Sequence, residues 1–152
     1  MKKRKEIIKP MNNAMEYLSG PRRIRERIRN REEKILALRS VASKTTPTLH
    51  LTAACSSSPE DHKLENIVAE IDRLEQENAQ DEAELAALCI EINNRLDILP
   101  NENHRTVLRL WYLNQLSTAE ICRELMYSSS HIRRLKNNAI QEFKIMVPDV
   151  FE

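Results

Sequence analysis

One glycine, Gly20, serves the whole 152-residue chain. Dinucleotide-binding fingerprints, phosphate-binding loops and nucleophile elbows need several glycines at close spacing, because their backbone must turn sharply or approach a phosphate. All three are excluded. One glycine and six prolines also supply too few turns for an all-β fold. The expected fold class is therefore all-α. Aromatic residues make up only 4% of the chain, so its core is aliphatic and modest.

A net charge of +1 hides a strong asymmetry. Residues 1–40 sum to +8, residues 41–103 to −9 and residues 104–152 to +2. Three cysteines, Cys55, Cys89 and Cys122, lie far apart, which does not read as a disulfide framework. No apolar run approaches the ~20 residues that span a bilayer. The basic start, Met1 to Lys5, leads into no secretory apolar stretch. The expected setting is cytoplasmic and reducing, with no membrane partner.

The first periodic region runs from about Asn12 to Ala42. Ile24, Ile28, Ile35, Leu38 and Ala42 form one stripe, with Arg31 as its polar member. Gly20-Pro21 predicts a break, with the well-formed helix starting at Pro21. Residues 43–62 are rich in Ser and Thr, carry two prolines and are expected to be a flexible linker. Leu64, Ile67, Ile71, Leu74, Asn78, Asp81, Leu85, Leu88, Ile92, Arg95 and Leu99 then step by three and four, which predicts a long seamed helix ended by Pro100. Asn78 and Asp81 set a polar patch at its middle. That patch reads either as a register-fixing feature or as a solvated gap.

The first seamed helix is basic and the second acidic, which predicts an antiparallel helical hairpin, a coiled coil closed within one chain. The arginines from Arg22 to Arg31 have a second reading, as a DNA grip. The expected division is 1–99 for the basic helix, linker and acidic helix, and 100–152 for a small C-terminal domain. Homo-oligomers through the coiled coil are a further possibility.

The last fifty residues carry the functional signal. Val107 to Leu113 is an apolar helical stretch. Ser117-Thr118-Ala119-Glu120 has the form of a capping box and opens a short helix, with Ile121, Cys122 and Leu125 inward. Ser128 is the expected N-cap of a third helix, whose inner face is Ile132, Leu135, Ala139, Ile140 and Phe143. Short helix, tight turn and longer helix is the layout of a helix-turn-helix, with Ala119 expected at the close crossing. Ser130, Arg133, Arg134, Asn137 and Gln141 share the outward face, and no acid lies between Tyr127 and Gln141. Arg reads guanine O6 and N7, Asn reads adenine N6 and N7, and serines at a helix start bind phosphate. Ser129 and His131 are expected beside this face. Lys136 and the Met1–Lys5 tract add phosphate attraction.

These residues also carry a resemblance. Leu99-Pro100, Val107 to Leu113 and Leu116 to Leu125 resemble the final DNA-binding region, region 4, of sigma-70-type factors. More closely, the chain from Asn13 to Phe143 resembles short phage and prophage regulators of Gram-positive bacteria, grouped with ArpU- and RinA-like proteins. The shared pattern is the Ala14–Leu18 opening, a basic helix, a Ser/Thr linker, a long acidic helix and a tail ending in Ala139-Ile140-Gln141-Glu142-Phe143. The resemblance implies a transcriptional regulator acting on phage late-gene promoters, with Ser129, Ser130, Arg133, Arg134 and Asn137 facing double-stranded DNA. It also implies contact with RNA polymerase. The family often has glycine in the turn where Met126 stands, so a wider or strained turn is expected here.

No catalytic, cofactor or metal site is expected. His50, Cys55 and His62 match no zinc spacing. Cys89 and Cys122 flank apolar residues, and packing explains them. The competing functions are a DNA-packaging subunit similar to small terminases and a structural coiled-coil adaptor.

Overall fold

A computed structural model describes residues 14–49 and 59–150; His50, Cys55 and the Met1–Lys5 tract lie outside them. The described residues form six α-helices and no strand. They are α1 (Ala14–Leu18), α2 (Gly20–Leu49), α3 (Pro59–Leu96), α4 (Glu102–Leu108), α5 (Thr118–Leu125) and α6 (Ser129–Met146). A π-helical turn, Arg109–Leu113, follows α4, and a 3-10 turn, Pro148–Val150, follows α6. No helix is long and apolar enough to cross a membrane among the described residues.

The break before Pro21 is present: Ser19 separates α1 from α2. Gly20 sits close against Leu88, where an added Cβ would meet Leu88 Cδ2 at 2.9 Å. The expected linker is shorter than 43–62. Helix α2 runs on to Leu49 and α3 begins at Pro59. Within this extension the hydroxyls turn inward to the helix's own carbonyls: Ser43 Oγ donates to Ser40 O and Thr45 Oγ1 to Val41 O, both at 3.0 Å. Pro59 fits a first helical turn, and Glu60 and Asp61 there meet the positive end of the helix dipole. At its other end α3 stops at Leu96, before Pro100.

The chain divides into two compact units, and the division does not fall at Pro100. One unit holds residues 24–85. In it Ile24, Ile28, Ile35 and Leu74 are buried, as their spacing predicts. The ion pairs Arg27–Asp81 (2.8 Å), Arg31–Glu77 (3.0 Å) and Lys34–Glu70 (2.8 Å) rise in number along α2 and fall along α3. The polar patch is paired rather than solvated. Arg27 grips Asp81 through two nitrogens, Arg31 joins the same carboxylate, and Arg31 also donates to Asn78 Oδ1 at 3.4 Å.

This pairing has a pH signature. Hydrogen bonds from Arg27 first, then Arg31, pull the Asp81 carboxyl down to about 2. A depressed carboxyl stabilises the fold above its unfolded range, and that contribution is lost as pH falls from about 4 toward 2. Glu70, held down to about 2 by Arg73 and Lys34, titrates in the same window. Difference melts therefore isolate Asp81. Asp81→Asn should lower the melting temperature at pH 7 and leave a smaller loss between pH 4 and pH 2. Arg27 is half exposed, so the expected cost is ~1–2 kcal/mol rather than that of a sealed pair.

The other unit holds residues 14–23 and 86–150 of the described chain. Its fully buried side chains include Leu18, Ile92, Leu96, Leu99, Leu108, Ile121, Ile132 and Phe143. The C-terminal domain expected for 100–152 thus takes in α1 and the end of α3. Packing explains the extension. The Tyr17 ring stacks on Phe143, with centroids 6.1 Å apart. Its hydroxyl donates to Glu91 at 2.7 Å, and burial followed by that carboxylate raises the phenol's pKa.

Candidate nucleic-acid interface

Local chemistry sets α5 and α6. Ser117 caps α5: Glu120 N donates to Ser117 Oγ (3.3 Å) and Ser117 N donates to Glu120 Oε2 (2.7 Å), the reciprocal pair the sequence predicts. The Ser117 hydroxyl first, then its backbone N–H, both donating to Glu120 Oε2 at 2.7 Å, lower the Glu120 pKa. Ile121 is fully buried and Cys122 is half-buried against the core. Ala119 is exposed, which corrects its expected place at the crossing. It stands in the opening turn of α5, and Cys122, one turn later, is the small side chain that packs.

Met126 ends α5 in the left-handed region (φ 59, ψ 35) with its side chain 86% exposed. The expected strain is real, but it is confined to the backbone. Met126→Gly should raise stability by ~0.5–1 kcal/mol, because relief of a left-handed side chain exceeds the added unfolded-state freedom. A melting temperature no higher than that of the parent chain counts against this account. Ser128 then caps α6, its Oγ accepting from His131 N at 3.3 Å.

Helix α6 buries Ile132, Ala139, Ile140 and Phe143. On its other side Ser129, Ser130, Arg133, Arg134, Asn137 and Gln141 are all exposed. From Ser130 to Gln141 the stripe is roughly 16 Å long at helical rise. Arg133 and Arg134 have no hydrogen bond or ion pair among the described residues. Arg27, Arg31, Arg73, Arg95 and Arg109 are all engaged with carboxylates. Glu142, the acid of α6, is drawn away to His104 Nδ1 at 2.5 Å, so it leaves the stripe positive.

Two expected members sit differently. His131 is half-buried, edge-on to Tyr127 with centroids 4.6 Å apart. Lys136 leaves the stripe: its ammonium lies 3.7 Å from the Trp111 ring centre and 5.6 Å from that of Tyr112. A cation over an indole is attracted by the ring's negative face, and burial lowers the Lys136 pKa. The π-helical turn presents these rings, with Asn114 N bonding to Arg109 O (2.9 Å) and Leu116 N to Leu110 O (2.9 Å). The apolar Trp111 and Tyr112 are legible in the sequence; their grip on Lys136 is not.

No group of three or more His, Cys, Asp or Glu side chains gathers as metal ligands do, among the described residues. His62 is exposed on α3, 3.6 Å from Glu65. Cys89 and Cys122 are free and half-buried.

Set against known proteins, residues 55–144 match the family model described as "Protein of unknown function (DUF1492)". The matched stretch takes in α3, α4, α5 and most of α6. No curated protein and no solved structure matches the chain.

Proposed function

The chain belongs to the DUF1492 family, and we propose that it is a sequence-specific, DNA-binding regulator of transcription. In this reading α2 and α3 form a helical hairpin, α5 and α6 form a helix-turn-helix, and α6 is the recognition helix. One observation carries it: an acid-free, exposed stripe on a capped helix, with two unpaired arginines, Arg133 and Arg134, at its centre. Arg133 and Arg134 reach guanine edges or phosphates, and Asn137 reaches adenine. Ser129, Ser130 and the open N–H groups of the first turn of α6 hold phosphate. His131 borders that contact. Phage origin, late-gene promoters, contact with RNA polymerase and a cytoplasmic setting come from the resemblance to sigma region 4 and to ArpU- and RinA-like regulators. None of the proposed contacts needs enzyme chemistry.

The direct test is a mobility shift with the full-length protein and a pool of double-stranded DNA at rising salt. Binding should weaken steeply between 50 and 200 mM salt, because each phosphate contact releases counterions. A protein that binds no duplex even at the lowest salt is not this regulator.

A further inference from the structure

A groove between α2 and α3, within the 24–85 unit, encloses about 430 Å³. Its apolar lining is Ile35, Leu36 and Ala79, of which Ile35 is buried and the other two are exposed. Leu36 is 70% exposed, beside the buried Ile35. Glu32 and Glu82 stand on the rim. Neither has a hydrogen bond or ion pair among the described residues. Glu70, Glu75, Glu77 and Asp81 in the same unit are all matched by cations. Arg39, also on the rim, is already taken by Glu75 at 2.5 Å. Asn78 lines the groove, is only 8% exposed, and spends its oxygen on Arg31. Its amide nitrogen has no acceptor among the described residues.

We propose that this groove docks a basic, amphipathic peptide segment of a partner protein. An apolar side chain of the segment sits on Leu36 and Ala79. Its Lys or Arg neighbours pair with Glu32 and Glu82, and one of its carbonyls accepts from the Asn78 amide. A second copy of this chain is a poor occupant. A two-fold contact through this groove would gather four unpaired carboxylates, Glu32 and Glu82 of each copy, into one interface. The acids set encounter rate and salt dependence, while the exposed apolar side chains of Leu36 and Ala79 hold the segment in place. The proposal does not rest on DNA binding by α6.

The test uses the full chain and a labelled Leu/Lys amphipathic peptide, read by fluorescence anisotropy, with a Leu/Glu peptide as comparison. The basic peptide should bind and the acidic one should not. Glu32→Gln with Glu82→Gln should weaken binding about tenfold and flatten its salt dependence. Leu36→Ser should weaken it at all salt concentrations. Glu60→Gln with Glu65→Gln, acids of α3 outside the groove, should leave it within twofold. Equal binding by every variant, or no binding by the parent chain, overturns the proposal. So does a Leu36→Ser variant whose sedimentation shifts from dimer to monomer, which would make a second copy the occupant. All variants should retain the parent's circular dichroism and DNA shift.

Discussion

Arg133→Ala combined with Arg134→Ala should cut affinity for the preferred duplex on the order of a hundredfold or more, since a well-placed arginine contact to a base is worth ~1–3 kcal/mol. The two side chains are exposed and touch no carboxylate, so the folded state loses nothing by their removal. Alanine is the better helix former, and the melting temperature should hold or rise slightly. That separates a binding defect from a folding defect. The salt dependence is the second readout: its log–log slope should fall by about one for each arginine that touched phosphate. Replacement by lysine sharpens the outcome. Lys keeps the charge but lacks the planar fork. Arg133→Lys with Arg134→Lys should therefore retain nonspecific binding and lose discrimination between sites. A double alanine variant with unchanged affinity and slope removes α6 as the recognition helix.

The legible parts of this chain are those where one physical rule acts alone. The seam at Leu64 to Ile92 follows from helical period, and the caps at Ser117 and Ser128 follow from the orphan N–H groups at helix starts. Both are in place. The parts that sequence does not make legible are those where two rules compete. Ser43 to Leu49 reads as linker by composition, yet the backbone stays helical there, and the Ser43 and Thr45 hydroxyls bond to carbonyls of the turn before them. Ala119 and Cys122 are both small and lie one turn apart. Sequence spacing alone does not say which one packs against the core. Lys136 reads as a cation available to DNA phosphates because charge suggests solvent. An indole at 3.7 Å outweighs that preference. The docking of α1 shows the largest gap. Ala14 and Leu18 are both fully buried and form an i, i+4 apolar pair, but a five-residue helix names no partner.

That docking makes Phe143 the side chain on which the C-terminal unit most depends. Phe143→Ala should destabilise the unit by ~3–5 kcal/mol, the range for an aromatic removed from a packed core. Phe143 is completely buried, and it joins α6 to α1 through the Tyr17 ring. Its loss opens a cavity and also frees Tyr17, whose hydroxyl bond to Glu91 then lacks a supporting surface. A small domain has ~5–15 kcal/mol in total, so the variant should melt tens of degrees lower or not fold at all near 37 °C. Trp111 is the single tryptophan of the chain and belongs to this unit, so its fluorescence reports the unfolding directly. Phe143→Leu, which keeps most of the volume, should cost ~1–1.5 kcal/mol and preserve DNA binding. Tyr17→Ala removes the other half of the stack and should sit between the two. If Phe143→Ala melts within a few degrees of the parent chain, α1 is not part of the folded unit and the stack on Tyr17 contributes nothing to it.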